Sequence, residues 1–575
     1  MTVRRSMFLS GGSMVTHRSD AACHPKKMAY SAEKSEKKFF SGVGILTGAA
    51  LVSKIIGLFY RIPLVSAIGI GSMAYFLAAN HIYVTLYLIA SAGLPLAVSI
   101  LVAQRQAMGD SLGATRVYRT ALLLFLILGG AGSLFLFFGA DFISLRIGLA
   151  GAALCLKAIA PTLLFSCISA AIRGYFQGFE KMAPTAVSEV IESSGKLVFG
   201  LFLARYAVSR GYSAAVCAAF AVAGLTLGVF LSMLYLVFMK LGFSPKIPIG
   251  EHIEENDERG HEQGSSFVRI LRIAAPVTAS SVVLSVASVV DTVLISGRLQ
   301  DAGFEIHLAE TMYSCYGNLT LPLFNLPSSL LTPISLALVP LLSAALRAGK
   351  KEDERTVVTS AIRITALLAI PASMGLSVFA QPILTLLYPR EETAVSIAAP
   401  LLSFLALSIL FSSFMTVTNA ILTTYGHPGH ALLSMSIGAM IKIGLEYILV
   451  GNPDVNIYGA PISTFCCNLA VTLLNLSFVY RDCAGCESIG AVFGKPFASS
   501  LVSVGIAGGV YALLIGTGGF SPWKLLFSLF VAVFCYLFVG VRGGAIRRQD
   551  VEAIPMGDRL ARLLFPQRKG KKIYS

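Results

Sequence analysis

The chain has 575 residues, of which 55% are apolar and only 13% charged, with a mean hydropathy of +0.75 and a formal net charge of +15. Soluble globular chains carry about 25% charged residues, so this composition excludes that class. Apolar runs near the ~20 residues that cross hydrocarbon recur from residue 39 to residue 541. The short alternating segments typical of a β-barrel are not found, so the sequence predicts an all-α polytopic membrane protein.

Hydropathy predicts about fourteen transmembrane helices, taken in chain order. Six spans lie in the first half of the chain, six in the second half, and two follow at the end. Their predicted limits are 39–60, 74–104, 118–139, 151–176, 183–207, 212–240, 267–296, 315–346, 357–388, 393–424, 429–450, 457–480, 496–517 and 523–541.

The distribution of Lys and Arg predicts that both chain ends are cytoplasmic. In that orientation the tails and even-numbered loops hold about 33 of the 45 basic residues, and the opposite loops hold about 7. The predicted location is the cytoplasmic (inner) cell membrane, with basic tails at 1–38 and 543–575 and a hydrophilic linker at 241–266. Met28 is an alternative start of the chain. The basic tails are interpreted as a topology signal, so no nucleic-acid partner is predicted.

Prolines, glycines and charges recur at an offset of roughly 240–250 residues, which predicts an internal repeat. Ala160-Pro161 opens the fourth span and Ala399-Pro400 the tenth, and the spans that follow them each carry one lysine. Six spans per repeat is an even number, so the two halves share one orientation in the membrane. We therefore predict an N-lobe at 39–240, a C-lobe at 267–481 and two extra helices within 482–542.

The segment 183–207 contains SEVIESSGK, with two carboxylates and one ammonium inside a predicted span. Each charge at mid-bilayer is disfavoured by about 3 kcal/mol on insertion scales, which indicates a function for these residues. On a helical wheel the polar residues fall within roughly 80° of one another. They therefore form one face, which we expect to contact water or other charged groups. These residues are Thr185, Glu189, Glu192, Ser193 and Lys196.

Other spans carry buried-looking charges at matching places in the two halves. They are Lys54 and Arg61 in the first span, Asp291 in the seventh, and Lys442 and Glu446 in the eleventh. The prediction is that these residues, with Glu189, Glu192 and Lys196, line one central cavity. The alternative is that they pair along or between helices and only hold the bundle together. GLTLG at 224–228 is a GxxxG pattern, which is a weak packing signal.

No motif in the chain indicates catalysis or metal binding. DxD, HExxH, Walker A and GxSxG patterns are not found, so no enzyme activity, catalytic residue or cofactor is predicted. The ten cysteines are scattered, and the CAGC at 483–486 is a single CxxC without a second ligand pair. The interpretation is that the cysteines are small apolar fillers and that the chain holds no metal.

Several segments resemble the stage V sporulation protein B family, which consists of polysaccharide-biosynthesis proteins of the MOP flippase superfamily. They are SKIIGLFYRIPL at 53–64, SAGLPLAVSILVAQ at 91–104, SVVDTVLISGRL at 288–299 and LPLFNLPSSLLTPISLALVPLLSAA at 321–345. The resemblance covers about residues 39–560. It implies a V-shaped pair of six-helix lobes that moves polyprenyl-pyrophosphate-linked sugars, precursors of cell wall such as peptidoglycan or of other polysaccharides, across the membrane by alternating access.

The resemblance also implies roles for the buried charges. Lys54, Arg61, Lys196 and Lys442 are candidates for binding the pyrophosphate in a low-dielectric cavity. Glu189, Glu192, Asp291 and Glu446 are candidates for keeping those cations paired, or for binding a coupling ion, Na⁺ or H⁺. Implied partners are the lipid-linked sugar, membrane lipid and the cell-wall synthesis machinery.

Two other functions stay open from the sequence. One is a cation-coupled multidrug antiporter of the same fold, in which Asp291 and Glu189 form the cation site. The other is a membrane scaffold that transports nothing, in sporulation or division complexes.

Overall fold

In a computed structural model of the protein, residues 25–91, 93–243, 285–483, 489–516 and 519–547 are described, together with residues 278 and 282. Every regular element in these ranges is helical. The helices are α1 (Pro25–Ile68), α2 (Ile70–Ser91), α3 (Leu94–Ala107), α4 (Ser111–Ile147), α5 (Ala152–Gly178), α6 (Ala183–Ser209), α7 (Ala214–Leu241), α8 (285–301), α9 (Ile306–Ser314), a π-helical turn (Cys315–Thr320), α10 (Leu321–Leu330), α11 (Thr332–Ala348), α12 (Lys351–Val378), α13 (Ala380–Leu387), α14 (Glu392–Thr424), α15 (Pro428–Val450), a 3₁₀ turn (Asn456–Tyr458), α16 (Gly459–Asp482), α17 (Ile489–Gly516) and α18 (Pro522–Arg542).

Eleven helical segments in the described ranges are long and apolar enough to cross a membrane, which confirms an all-α multi-pass membrane protein. Three predicted spans are not among them. The span at 183–207 corresponds to α6, which carries several charges, the span at 267–296 is described only in part, and the span at 315–346 is divided into three elements. The total of fourteen therefore stays a prediction. The first helix begins at Pro25, within the predicted tail, because hydropathy marks where the apolar residues begin and not where the helix does.

The packing of helices in the N-lobe recurs in the C-lobe. In the N-lobe α4 packs on α5, and both α5 and α6 pack on α7. In the C-lobe α12 packs on α14, and both α14 and α15 pack on α16. Helices α17 and α18 pack on each other and contact the C-lobe through α12 and α13. The arrangement agrees with two repeated lobes followed by two extra helices.

Glycines bring α6 and α7 into close backbone contact. A Cβ placed on Gly228 would lie 2.6 Å from the backbone nitrogen of Lys196 and 2.9 Å from the carbonyl oxygen of Glu192. A Cβ on Gly224 would lie 2.4 Å from the Cα of Gly200. Small residues at such crossings allow the close van der Waals contact that holds membrane helices together. The GxxxG pattern at 224–228 therefore lies in the α6–α7 interface. Its interpretation as a weak packing signal understated this contact.

The predicted eighth span is interrupted where its sequence is rich in proline. The helical path starts at Ile306, ahead of the predicted start at 315, and passes through the π-helical turn at Cys315–Thr320. Every side chain of that turn is buried. Asn318 Nδ2 donates a hydrogen bond of 3.0 Å to the backbone oxygen of Met73 on α2. A π-turn widens the helix locally and is frequent at functional sites, and here it joins the C-lobe to the N-lobe.

The lobes meet mainly along α2. Thr85 on α2 and Ser285 on α8 have hydroxyl oxygens 2.6 Å apart, and both residues are buried. Beyond α2, Gln300 Nε2 donates a hydrogen bond of 3.1 Å to the backbone oxygen of Gly148, between α4 and α5. These polar contacts lie beside a continuous apolar core that includes residues of both lobes, such as Leu77 of α2, Leu299 of α8 and Leu319 of the π-helical turn.

We expect Gly228→Ala and Gly224→Ala to destabilise the protein, because each added methyl group collides with backbone on α6 that cannot move aside. Overpacking of this kind costs about 1–3 kcal/mol. The measurement is thermal unfolding of the purified protein in detergent. Gly130→Ala on α4 is the matched control, since no atom lies within 4 Å of its added Cβ. Because Gly→Ala by itself favours a helix by about 1 kcal/mol, an unfolding temperature of the two interface variants that is no lower than that of Gly130→Ala would contradict the α6–α7 contact.

Candidate functional site

The charged stripe of α6 forms an ion cluster with a residue of α5. Glu192 accepts hydrogen bonds from Lys196 Nζ at 2.7 Å and from Arg173 Nη2 at 3.1 Å. We call Arg173, Glu192 and Lys196 the N-lobe ion cluster. Their side chains are 16–28% exposed, so the cluster is partly buried but still accessible from its surroundings. Two cations therefore share one carboxylate.

Neighbouring hydroxyl groups fix the orientation of Arg173. Its Nε donates to Ser188 Oγ at 2.9 Å, and its Nη2 lies 3.3 Å from Ser232 Oγ on α7. Ser188 and Ser232 are fully buried. Because Ser188 precedes Glu192 by one helical turn, α6 presents both acceptors to the guanidinium from one face. The predicted polar face of α6 is thus real, but part of it packs against α5 and α7.

Arg173 was missed on the sequence, although it lies within a predicted span. Its partner Glu192 is 19 residues away, across a turn between two helices, so no helical periodicity links the two. Glu189, which was predicted to share this function, is half-buried and forms no ion pair in the described structure. The available signal was the arginine itself, which with Lys157 is one of two charged residues in the predicted span 151–176.

A second cluster lies in the C-lobe. Lys442 on α15 donates a hydrogen bond to Asp291 on α8, and their side chains are 13% and 11% exposed. Glu446, one turn after Lys442, is fully buried, and neither of its carboxylate oxygens has a hydrogen-bond partner. We call Asp291, Lys442 and Glu446 the C-lobe ion cluster. Here two acidic groups accompany one cation, the reverse of the N-lobe ratio.

Helix α2 lies between the two clusters. Its His81 Nδ1 is 2.9 Å from the hydroxyl of Thr292, which follows Asp291 on α8. On the other side of α2, Tyr83 is hydrogen-bonded to Ser166 of α5 at 2.6 Å. Tyr87, one turn further on, is close enough to Arg173 for electrostatic interaction. This N-lobe helix therefore contacts the surroundings of both clusters.

The two predicted site residues on α1, Lys54 and Arg61, lie in different environments. Arg61 Nη1 donates a hydrogen bond of 3.3 Å to the backbone oxygen of Gly317, in the π-helical turn of the C-lobe. Lys54 is exposed and forms no ion pair with any residue that the structure describes. Arg61 thus belongs to the contact between the lobes, whereas Lys54 stands free on the preceding turns of the helix.

The eight predicted site residues do not form a single constellation. Two of them join the N-lobe ion cluster and three form the C-lobe ion cluster, while Arg61 lies at the lobe contact and Glu189 and Lys54 stand outside both clusters. The prediction that matching spans carry matching charges holds for α6 and α15. The roles of these residues in binding substrate stay predictions.

Two family models match the chain. The one described as Polysaccharide biosynthesis protein matches residues 39–346, and the one described as MatE matches residues 317–448. The chain is 25% identical over 534 residues to Stage V sporulation protein B of Bacillus subtilis (strain 168), covering 92% of this chain and 99% of that protein. It is also 25% identical over 433 residues to the Lipid II flippase MurJ of the same organism, covering 72% of this chain and 77% of that protein.

Solved structures share the fold. A structure of the Lipid II flippase MurJ in an inward closed conformation aligns with a TM-score of 0.66 at 15% identity, covering 86% of this chain and 97% of that one. An inward-facing multidrug resistance MATE family transporter of the MOP superfamily aligns with a TM-score of 0.59 at 16% identity, covering 75% and 94%. The family resemblance drawn from the sequence is confirmed: the chain belongs to the polysaccharide biosynthesis protein family.

Proposed function

We propose that this protein is a flippase that moves polyprenyl-pyrophosphate-linked sugars from the inner to the outer leaflet of the cell membrane by alternating access. The observation that carries the proposal is the N-lobe ion cluster, in which Arg173 and Lys196 share the single carboxylate of Glu192. Among the hydrogen-bonded groups, this cluster has one more cation than anion, and Glu189, about one turn before Glu192, lies within electrostatic reach of Arg173 without bonding to it. The name of one curated relative, a lipid II flippase, supports the same substrate class.

A pyrophosphate fits this excess of positive charge. Charge-assisted hydrogen bonds from guanidinium or ammonium to phosphate are about twice as strong as neutral ones, and they gain strength in a medium of low dielectric constant. Arg173 already uses three donors on Glu192, Ser188 and Ser232, so its plane is held in place before substrate arrives. Preorganised donors reduce the entropy that binding costs. Arg61, at the lobe contact, is a further candidate for binding the head-group.

The C-lobe ion cluster has the opposite balance and takes a different part in the proposal. The cluster holds two acidic side chains, Asp291 and Glu446, and one cation, Lys442. It therefore suits a coupling cation or proton and not an anionic head-group. His81 connects the cluster to α2 through Thr292. A change in charge at the C-lobe cluster would therefore act on the helix that also borders the N-lobe cluster.

The alternative is a cation-coupled multidrug antiporter. The MatE match over residues 317–448 and the multidrug transporter neighbour favour it, as does the acidic excess of the C-lobe ion cluster. The N-lobe ion cluster argues against it, because an excess of buried cations repels a cationic drug.

We expect Lys196→Gln to slow flipping by about tenfold to a hundredfold, the loss of one charged hydrogen bond of about 1.5–3 kcal/mol. Glu192 keeps Arg173 as its partner in this variant, so the fold is retained. Flipping is measured in proteoliposomes with a fluorescent polyprenyl-pyrophosphate sugar and an impermeant quencher. Lys157→Gln is the matched control, since Lys157 pairs with Asp141 outside both clusters. Equal rates for Lys196→Gln and wild type would contradict the proposal, and ion-driven efflux of cationic dyes without flipping would favour the antiporter.

The C-lobe ion cluster predicts an asymmetry between its two paired residues. Lys442→Gln leaves two buried carboxylates without a cation, and removing one partner of a buried pair costs about 3–5 kcal/mol. Asp291→Asn is expected to cost much less, because Glu446 remains beside Lys442. Thermal unfolding in detergent checks the order, and adding Glu446→Gln to Lys442→Gln is expected to restore part of the loss. If Lys442→Gln and Asp291→Asn lowered the unfolding temperature equally, Glu446 would not balance the charge of Lys442 when Asp291 is neutralised.

Alternating access requires α2 and α8 to move relative to each other. The hydroxyl oxygens of Thr85 and Ser285 are 2.6 Å apart, so cysteines at these positions lie within reach of an S–S bond of about 2.05 Å. We expect oxidised Thr85→Cys/Ser285→Cys protein to stop flipping and dithiothreitol to restore it. Each single variant controls for the ten native cysteines. Full flipping by the cross-linked protein would exclude a movement of the lobes at this contact.

A further inference from the structure

A cluster of metal-ligating side chains lies at one end of the C-lobe, apart from both ion clusters. His427 precedes α15, His430 lies in its first turn, and Asp482 is the last residue of α16. Each offers one ligand atom, and the three atoms lie within 4.8 Å of one another. His430 and Lys442 are twelve residues apart, which is roughly 18 Å along the helix axis. The cluster therefore takes no part in the ion pairs described above.

The local sequence explains how the two histidines come together. Gly426 has a φ of +83°, which lets the chain turn sharply after α14, and Pro428 then begins α15. The two imidazole rings consequently lie with centroids 5.1 Å apart and planes inclined by 44°. The ring of His430 stacks on Phe478 of α16 at 4.5 Å, which fixes its plane.

One nitrogen of the cluster has no partner. His427 Nδ1 and Asp482 Oδ2 are hydrogen-bonded at 2.9 Å, so these two polar groups have partners even without a bound ion. His430 Nδ1, in contrast, is buried and has no hydrogen-bond partner in the described structure. A buried polar atom of this kind requires a partner. The ring of His430 offers one of its nitrogens within 4.8 Å of the ligand atoms of His427 and Asp482.

We propose that His427, His430 and Asp482 bind a divalent transition metal ion of the zinc class. Imidazole nitrogen and carboxylate oxygen are ligands that zinc takes at about 2.0–2.2 Å, and three protein ligands leave one position for water. Tetrahedral ligands at that distance lie about 3.4 Å apart, so side-chain rotation alone brings the three atoms together. The bound ion joins the loop before α15 to the end of α16, and so fixes one end of the helix that carries Lys442 and Glu446.

The site was missed in the sequence, where the cysteines of CAGC drew attention and no metal was predicted. His427 and His430 share a short motif, HPGH, but Asp482 lies 52 residues after the second histidine. Only the pairing of α15 with α16 brings the ligands together.

The experiment is a titration of the tag-free, detergent-purified full chain with Co²⁺, followed by visible absorption and by competition with Zn²⁺. Wild type is expected to bind one equivalent with the spectrum of nitrogen and oxygen ligation. His430→Phe keeps the stacking on Phe478, and Asp482→Asn keeps an acceptor for His427, so both variants preserve the fold. Each is expected to lose at least about tenfold in affinity. His307→Ala, on α9 and outside the cluster, is the matched control.

Three results would overturn the site. They are the absence of Co²⁺ binding, equal affinity in wild type and both ligand variants, and an intense thiolate-to-metal band, which would assign the ion to cysteines instead. Zn²⁺ is also expected to raise the unfolding temperature of wild type but not of His430→Phe, because a ligand that binds only the folded state stabilises it. None of these measurements depends on flipping, so they test the metal site independently of the proposed function.

Discussion

A charged side chain inside the membrane region needs an opposite charge or a strong hydrogen bond beside it, and this requirement organises both lobes. On α6 it is met by Arg173 of α5, which pairs with Glu192 and is oriented by Ser188 and Ser232. That geometry exists only because Gly224 and Gly228 let α7 approach α6 backbone to backbone. The glycine contact and the ion cluster are therefore one structural unit, since a residue that separates the helices also moves Ser232 away from the guanidinium.

The same requirement is met less completely in the C-lobe. Lys442 and Asp291 satisfy each other, while the carboxylate of Glu446 is fully buried without a hydrogen-bond partner among the described residues. A cluster whose charges are fully paired has one stable arrangement. A cluster with one extra acidic group has two, with and without a bound cation or proton. The C-lobe cluster is thus suited to change state, and its connection through Thr292 and His81 carries that change to α2.

The helical character of the chain and most of its apolar spans could be predicted from the sequence, because these depend on composition and local periodicity. The sequence did not predict which charges meet. Arg173 and Glu192 lie on different helices, and the assumption of one cavity joined Lys54 to residues that the structure keeps apart from it. The π-helical turn at Cys315–Thr320 was also missed, since its geometry comes from packing against α2 and from Arg61 reaching Gly317. Long-range pairs of this kind leave no periodic signal in a single chain.

The opposite charge balance of the two clusters bears on how such a protein would work. In the proposed function, an anionic head-group at Arg173 and Lys196 would compete with Glu192 for donors of these two cations. A cation at Asp291 and Glu446 competes with Lys442 in the same way and weakens its hold on α8. Tyr87 and His81 lie on one helix between these events, less than two turns apart. A single rigid element then responds to both exchanges, so coupling between substrate and ion needs no longer pathway than α2 itself.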